Sequence, residues 1–429
     1  MYALTGVILW QARLTEALFA ANLIAMNKAS RAFLNSSIVV LVLLINHVSA
    51  HEKPKTPTRA IENPVALGEL FKALTDARDK RRLEPVRIMH FGDSHVAADV
   101  LTREIREQFQ AGFGDGGAGF IIPGNPMATR RRGVVAGFTQ GWVVEGIGGR
   151  YSADAIYGPA GINIATSIVG ERAWLEASAS HFEVYFARQP GGGKIQITID
   201  GVDALEEPVL LNSPVSKLDS VFIDVPDDAP HRLEVRTLSS GKVRLLGIVS
   251  EHLSGGMSYD VFGINGAKAN RLLGWNQTAL AASIKARDPN LIILAYGTNE
   301  VADGDWTAAG YESLLTEIVG KLHAIAPHAS LLLFGPPDRG DLPLNVRLQS
   351  LLNVERRVAL ANNTAFWSAF DAMGGSGSMS SWLSRGLAQP DRVHLTKAGY
   401  ARVADMFYED LIAAWRAANE KPTHLSKPG

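Results

Sequence analysis

Cysteine is absent from this 429-residue chain. The protein therefore has no disulfide, no thiolate metal site and no cysteine nucleophile, and no lipid can be attached through a lipobox cysteine. Its stability must come from a hydrophobic core. With 46% hydrophobic and 20% charged residues, the chain has the composition of a globular protein, and its length allows two compact units.

An excess of charge of either sign is also absent. Lys and Arg number 42 against 43 Asp and Glu, which gives a net charge of -1. This balance provides no overall field that would attract nucleic acid or an anionic membrane, so we predict no nucleic-acid partner. A local basic patch remains open at Arg130, Arg131 and Arg132.

A long apolar run is missing near the amino terminus. The run Ile38 to Ile45 has about half of the roughly 20 residues that a bilayer span needs. Lys28 and Arg31 precede this run, and Val48-Ser49-Ala50 follows it, which is the order of a signal peptide cleaved after Ala50. We therefore predict a periplasmic or secreted protein with no stable membrane span once it is mature.

We assign the signal-peptide region to residues 1–50. Met26 is an alternative start of the protein, and an uncleaved N-terminal anchor is the alternative to a cleaved signal peptide. The Pro- and Lys-rich residues 51–64 then predict a solvated linker.

Strands and helices alternate in two separate parts of the remaining chain. The apolar run Val86 to Phe91 ends in Gly92-Asp93-Ser94, and a helical pattern follows over residues 101–109. Further helices are predicted near residues 269–287, 314–326, 347–361 and 399–420. This alternation predicts a three-layer α/β domain with a parallel sheet, formed by residues 65–120 and 257–429.

Residues 121–256 have a different pattern. Short alternating runs such as Phe182 to Phe186 and Ile195 to Ile199 are separated by turn clusters such as Gly191-Gly192-Gly193. Such runs are typical of antiparallel strands, and they predict a β-sandwich inserted into the α/β domain.

Two motifs could provide a nucleophile and its base at the carboxyl ends of the strands, where ligands of α/β sheets gather. Gly92-Asp93-Ser94-His95 leaves a serine hydroxyl at the start of a helix, although a serine there is often only an N-cap. Asp391-Arg392-Val393-His394 precedes the last helix, where the acid could orient the imidazole or both could be solvated. His95 is interpreted as a structural residue of the helix start and not as a second base.

Two further motifs could provide hydrogen-bond donors. Gly297-Thr298-Asn299-Glu300 places an amide after the apolar strand 291–296, a position where asparagine is usually a turn residue. Gly263-Ile264-Asn265-Gly266-Ala267 precedes a predicted helix whose free N–H groups could face an anion. The four motifs together contain the groups that acyl transfer needs.

The order of these motifs resembles the conserved blocks of the SGNH (GDSL-like) hydrolases. The resemblance covers about Val86 to Gly119 and Tyr259 to Tyr408. It implies a serine esterase that needs no metal and no organic cofactor.

The same resemblance implies a role for each matching residue. Ser94 would be the nucleophile, and Asp391 and His394 would complete the triad. The oxyanion hole would be formed by Ser94, Gly266 and Asn299, with Gly263 as the alternative to Gly266.

A fuller set of motifs resembles the bacterial peptidoglycan O-acetylesterases, which carry an inserted carbohydrate-binding-like β-sandwich. The added features are Gly-Asp-Ser-His at 92–95, the glycine-rich stretch 113–119 and Gln389-Pro390 before the final Asp-x-x-His. This resemblance implies an O-acetylated glycan as the substrate, with peptidoglycan as the first choice. Four aromatic residues could stack on sugars or belong to the sandwich core: Trp142, Tyr151, Tyr157 and Trp174.

Other functions remain as alternatives. A metal-dependent hydrolase would take its ligands from His90, Asp93, His95, Asp391 and His394, although no His-Glu-x-x-His motif is present. A nucleotide-binding protein would use Gly114 to Gly119, which follows a predicted helix instead of a strand. A non-catalytic carbohydrate-binding protein, an acyltransferase and a deacetylase of another extracellular glycan complete the set.

Overall fold

The computed structural model describes residues 60–124, 126, 131–146 and 151–420. The predicted signal-peptide region and most of the predicted linker lie outside these residues. The linker's last residues already belong to the domain, because Ile61 is buried and the backbone of Glu62 exchanges hydrogen bonds with Phe366. None of the described helices is long and apolar enough to cross a membrane.

The strands of the described residues are β1 Val86–Gly92, β2 Gly119–Ile121, β3 Val135–Phe138, β4 Val143–Gly146, β5 Ile162–Thr166, β6 Arg172–Ser178, β7 His181–Arg188, β8 Lys194–Ile199, β9 Val202–Asp203, β10 Val209–Leu210, β11 Lys217–Asp224, β12 Pro230–Thr237, β13 Val243–Glu251, β14 Met257–Gly263, β15 Leu291–Ala295, β16 Ser330–Gly335 and β17 Ala365–Ser368.

The α-helices of the same residues are α1 Gly68–Arg78, α2 Ser94–Ala97, α3 Leu101–Phe113, α4 Gln277–Arg287, α5 Ala308–Ile325, α6 Leu342–Ala361, α7 Ala369–Met373, α8 Ser378–Ser384 and α9 Lys397–Asn419. Two short 3₁₀ helices cover Pro64–Leu67 and Ala269–Leu273.

A five-stranded parallel sheet has the order β14-β1-β15-β16-β17. Its strands are almost wholly buried, as expected when helices cover both faces of a parallel sheet. Helices α1, α3 and α9 pack on one face through residues such as Leu70, Ile105 and Phe407. Helices α4, α5 and α6 pack on the other face through residues such as Ile284 and Leu315. The predicted three-layer α/β fold is confirmed.

Two antiparallel sheets form the β-rich part of the molecule. One has the order β10-β8-β12-β6-β3, with β9 beside β8, and the other has the order β11-β7-β13-β5-β4, with β2 beside β13. Apolar side chains such as Leu175, Leu233, Phe186 and Leu245 are buried in one common core. All of these strands lie between β1 and β14 in the chain, so the prediction of an inserted β-rich domain is confirmed at the level of the fold.

The sandwich core continues into the core of the parallel sheet. The Phe120 ring lies 5.5 Å from the Phe262 ring, which in turn lies 4.9 Å from the Phe91 ring. The same hydrophobic cluster contains sandwich residues such as Val184 and helix residues such as Ile284. Because interiors are close-packed, this shared core joins the sandwich firmly to the sheet.

A buried ionic network crosses the same junction. The Arg287 guanidinium of α4 donates to Glu251 of β13 at 2.7 Å and to Asp260 of β14 at 2.8 Å. Arg87 of β1 donates to the same Glu251 carboxylate at 2.9 Å. Arg287, Glu251 and Asp260 are all buried, so each charge depends on the others for its hydrogen bonds.

The single helix predicted near 269–287 is wrong in detail. The structure has a 3₁₀ turn at Ala269–Leu273, a break, and then α4, whose N-cap Asn276 accepts the N–H of Ala279 at 3.0 Å. In the break, Trp275 is buried against Gly161 of the sandwich, where a Cβ would lie 2.4 Å from the indole ring. A tertiary contact therefore interrupts a locally helical pattern.

Candidate active site

The candidate site lies at the carboxyl edge of the parallel sheet, where β1 turns into α2. Ser94 is the first residue of α2, and Asp93 caps this short helix by accepting the His95 N–H at 2.9 Å. Gly92 is needed at this turn because a Cβ there would lie 2.4 Å from Val96 and 2.8 Å from the Ala295 carbonyl. The close turn presents the Ser94 hydroxyl at the sheet edge.

A chain of hydrogen bonds connects Ser94, His394 and Asp391. The Ser94 Oγ lies 2.9 Å from the His394 Nε2, and the His394 Nδ1 lies 2.7 Å from the Asp391 Oδ2. Because a carboxylate only accepts, the His394 Nδ1 carries the proton and its Nε2 is left to accept from the serine hydroxyl. The fold thus brings together two motifs that are about 300 residues apart.

The Asp391 carboxylate is held in place by its own loop. Its Oδ1 accepts the backbone N–H groups of Val393 at 2.9 Å and His394 at 3.0 Å. Burial acts to raise its pKa, but the hydrogen bonds from Val393 and His394 lower the pKa of Asp391 below its ordinary value. The carboxylate therefore stays charged at neutral pH beside the imidazole.

The loops that contain Gly266 and Asn299 flank the serine turn. Strands β14 and β15 lie on either side of β1. The loop after β14 begins where the Ile264 N–H donates to the Gly92 carbonyl, and the loop after β15 begins where the Ala295 carbonyl accepts the Asp93 N–H. The Asn299 amide donates to the Ala267 carbonyl at 2.9 Å, which joins the two loops and leaves its second amide hydrogen for another acceptor.

The two candidate glycines of the first loop have different surroundings. Gly263 ends β14, and a Cβ there would lie 2.2 Å from the backbone of Ala97. Gly266 has a φ of 71° and open space where its Cβ would be. Close packing thus explains Gly263, whereas Gly266 lies in an open turn.

Two similarities to known proteins bear on the function of this site. Residues 237–402 match the model of the GDSL-like lipase/acylhydrolase family. A structure of a peptidoglycan O-acetylesterase is similar with 27% sequence identity and a TM-score of 0.68, over 81% of this chain and 96% of that one. The family match and this structural likeness together support a carboxylic ester hydrolase.

Two more distant structures are also similar to this hydrolase. A family two carbohydrate esterase from Cellvibrio japonicus has 14% identity and a TM-score of 0.30, over 67% of this chain and 98% of that chain. A lipase/acylhydrolase from Enterococcus faecalis has 20% identity and a TM-score of 0.30, over 37% and 77%. No curated protein matches the hydrolase in sequence.

The sequence reasoning gave no role to Glu300, which the structure places beneath both loops of the hydrolase. Its buried carboxylate accepts the Ala269 N–H at 2.7 Å and the Gly297 N–H at 2.8 Å. Burial raises the pKa of Glu300. Its position directly after Asn299 was visible in the sequence, but the distant Ala269 N–H was not.

The Glu300→Gln substitution is expected to lower kcat of the hydrolase for a chromogenic acetate ester by about 100-fold, because displacing reacting groups by 1 Å can lower the rate by this factor. The amide can accept only one of the two N–H groups and would oppose the other with its own NH₂. Steady-state kinetics would measure the loss, with Glu312→Gln as the control, since Glu312 pairs with Arg357 at the surface. An unchanged kcat in a folded Glu300→Gln protein would contradict this positioning role.

His95 lies behind the serine and is buried. Its Nδ1 lies 2.9 Å from the Tyr400 hydroxyl, and its ring centre lies 5.3 Å from that of His394. Burial lowers the pKa of His95 to about 3, so the ring is neutral at pH 7. Burial, with the nearby Glu300 as a further cause, raises the pKa of its neighbour Asp93 to about 7.

The structure also shows the surroundings of the residues considered for a metal site and for a nucleotide site. Among the residues that the structure describes, no three His, Asp or Glu side chains are grouped as a metal ion would require. The glycine-rich stretch follows α3 and packs tightly, because a Cβ at Gly116 would lie 2.8 Å from the Met257 backbone and one at Gly117 would lie 2.6 Å from Glu251. Close packing explains these glycines without a bound nucleotide.

The four aromatic candidates for sugar stacking divide between core and surface. Trp142 and Tyr157 are buried in the hydrophobic cluster. Tyr151 is 71% exposed, and Trp174 is partly exposed under the Arg232 guanidinium, 4.8 Å from the ring centre. Only Tyr151 and Trp174 therefore present ring surface to solvent.

Proposed function

We propose that this hydrolase removes O-acetyl groups from a bacterial polysaccharide, with peptidoglycan as the polymer, and that Ser94, His394 and Asp391 form its catalytic triad. The observation that carries the proposal is the hydrogen-bonded chain from the Ser94 Oγ through His394 to Asp391. The likeness to a peptidoglycan O-acetylesterase over 81% of the chain supports the choice of substrate.

In the proposed acylation step, the Ser94 Oγ attacks the acetyl carbonyl while the His394 Nε2 takes the hydroxyl proton. Asp391 holds the imidazole in the required tautomer and stabilises the imidazolium. The backbone N–H groups of Ser94 and Gly266 and the Asn299 amide would donate to the oxyanion, each worth on the order of 3 kcal/mol.

The proposed second half returns the enzyme to its starting state. The tetrahedral intermediate expels the sugar oxygen, which takes the proton from His394 and leaves as the free hydroxyl. Water then attacks the acetyl-Ser94 ester as His394 removes its proton, and acetate leaves as His394 returns that proton to the Ser94 Oγ. All steps use side chains and backbone donors of this chain.

The proposal includes export and the division of labour within the chain. Residues 1–50 would direct export to the periplasm or the medium, and residues 51–64 would link them to the enzyme. Residues 65–120 and 257–429 would form the catalytic domain, and residues 121–256 would form an inserted module that contacts the glycan. Tyr151 and Trp174 are the solvent-facing rings available for sugar contact.

Acetate release tests this function directly. Protein beginning at His51 is expected to release acetate from O-acetylated peptidoglycan and from a chromogenic acetate ester, and Ser94→Ala is expected to release it from neither. Ser384→Ala, at an exposed serine of α8, is the matched control and should keep full activity.

Each other outcome of this assay would reject part of the proposal. Release from the small ester alone would reject peptidoglycan as the substrate. Transfer of acetyl groups to added glycan hydroxyls without acetate release would replace hydrolysis by acyl transfer. Equal activity of wild type and Ser94→Ala would overturn the assignment of the nucleophile.

A further inference from the structure

A polar cavity lies where the catalytic helices meet the sandwich. Its volume is about 430 Å³, and its walls come from α3, the glycine-rich stretch, residues 131–134 and the ends of β6 and β13. We name it the basic cleft, defined by Arg106, Gln110, Asp115, Arg131, Ser178 and His252.

The basic cleft is separate from the candidate active site. Asp115 pairs with Met257, the first residue of β14, whereas Gly263 at the other end of β14 adjoins the serine turn. A strand of this length spans about 20 Å, at roughly 3.3 Å per residue. The Asp115 wall of the cleft therefore lies far from the serine turn, and a polymer is long enough to occupy both places.

Arg131 lines this cleft, and its guanidinium nitrogens are buried. Its three side-chain nitrogens have no hydrogen-bond partner among the described residues. Burial, with Arg106 as a further cause, lowers the pKa of Arg131 to about 9, which leaves the group charged at neutral pH. Buried N–H groups without acceptors are costly, so the site favours an anion that would accept hydrogen bonds from them.

The two carboxylates that interact electrostatically with Arg131 already accept hydrogen bonds from other arginines. Asp99 accepts from Arg106 at 3.1 Å, and Asp260 accepts from Arg287 at 2.8 Å. Within the cleft wall, Asp115 accepts from Gln110 at 2.8 Å. These three carboxylates therefore already have hydrogen-bond donors other than Arg131.

His252 lines the cleft and contacts two backbone carbonyls of its wall. Its Nδ1 lies 3.0 Å from the Asp115 carbonyl, and its Nε2 lies 3.0 Å from the Ser178 carbonyl. His252 therefore joins the glycine-rich stretch to the end of β6 at the cleft wall.

We propose that the basic cleft binds a carboxylate of the polymeric substrate through the Arg131 guanidinium, and so selects acidic glycans over neutral ones. This inference rests on the proposed function, because it extends the same substrate beyond the acetyl ester. A planar guanidinium holds a carboxylate through two parallel hydrogen bonds. In peptidoglycan, the carboxylate can belong to the acidic sugar of the glycan strand or to the attached peptide.

The Arg131→Gln substitution tests whether the basic cleft binds a carboxylate of the substrate. We expect KM for O-acetylated peptidoglycan to rise by about tenfold to a hundredfold, the value of a hydrogen bond to a charged group, with kcat for the small acetate ester unchanged. KM for a neutral O-acetylated glycan such as acetylated xylan should stay the same. Arg236→Gln, at an exposed arginine of β12, is the matched control. Arg131→Lys should recover part of the loss because it restores the charge.

A second set of substrates distinguishes the two sources of the carboxylate. O-acetylated glycan strands from which an amidase has removed the peptides should keep the Arg131 effect if the sugar carboxylate binds, and should lose it if the peptide carboxylate binds. Either result supports the cleft. An unchanged KM of Arg131→Gln on intact peptidoglycan would overturn the proposal, and so would an equal rise in KM on acetylated xylan.

Two further measurements separate this inference from a structural role and from the proposed function. Arg131→Gln should melt at or above the wild-type temperature, because it removes a buried charge whose N–H groups lack acceptors, and a clear loss of stability would contradict the binding role. Binding of intact peptidoglycan to Ser94→Ala, compared with Ser94→Ala/Arg131→Gln, needs no turnover. Failure of acetate release alone would reject the proposed function, whereas equal binding by both proteins would reject the cleft.

Discussion

Alanine at either Ser94 or His394 is expected to lower kcat for a chromogenic acetate ester by about a million-fold, the loss seen when one member of a cooperating triad is removed. The 2.9 Å contact between the Ser94 Oγ and the His394 Nε2 makes each group dependent on the other for proton transfer. The double variant Ser94→Ala/His394→Ala should therefore be no slower than either single variant. Burst and steady-state kinetics would measure all three.

The acid of the triad should behave differently. Asp391→Asn keeps the geometry but favours the wrong imidazole tautomer, and such a change lowers kcat by about ten-thousand-fold. Additive losses in the Ser94/His394 double variant would show that the two residues act in separate steps. That result would contradict the proposed mechanism even if each single variant were inactive.

The Arg287→Met substitution is expected to lower the free energy of unfolding by about 3–5 kcal/mol, which is the cost of removing one partner from a buried ionic network. The change leaves the Glu251 and Asp260 carboxylates buried without the guanidinium that donates to both. Because the network joins β13 to β14, the sandwich and the parallel sheet should lose stability together. Urea unfolding followed by tryptophan fluorescence and circular dichroism would measure the loss.

A surface arginine is the matched control for this prediction. Arg81 pairs with Asp76 and Asp79 at the surface, and Arg81→Met should cost less than about 1 kcal/mol. A similar cost for both variants would contradict the role of the buried network.

The network also predicts how stability depends on pH. Burial acts to raise the pKa of Glu251, but Arg287 and Arg87 lower it from 4.5 to about 2. A carboxyl group with a lowered folded-state pKa stabilises the protein fully above its unfolded pKa and loses this contribution as the pH falls toward the folded value. The stability difference between wild type and Arg287→Met should therefore narrow between about pH 4.5 and pH 2.

Local sequence patterns were sufficient for the secondary structure near the candidate site. The strand, turn and helix around Ser94 follow from an apolar run, a glycine and a helical repeat, all within about 25 residues. The last helix, predicted from 399 to 420, covers Lys397–Asn419, because its apolar residues recur at helical spacing. The break between residues 273 and 277 could not be predicted, since it depends on the packing of Trp275 against Gly161.

By itself, the amino-acid sequence determined the α/β class, the inserted β-rich region, the absence of thiol chemistry and the residue types of the candidate site. These features depend on composition, periodicity and short motifs, which are properties of neighbouring residues. Only the tertiary structure decided that Ser94 meets His394, that Glu300 holds both flanking loops, and that the described residues offer the Arg131 guanidinium no hydrogen-bond acceptor. Such contacts join residues far apart in the chain, and their distances are set by the packing of the sheet, helices and sandwich around one core.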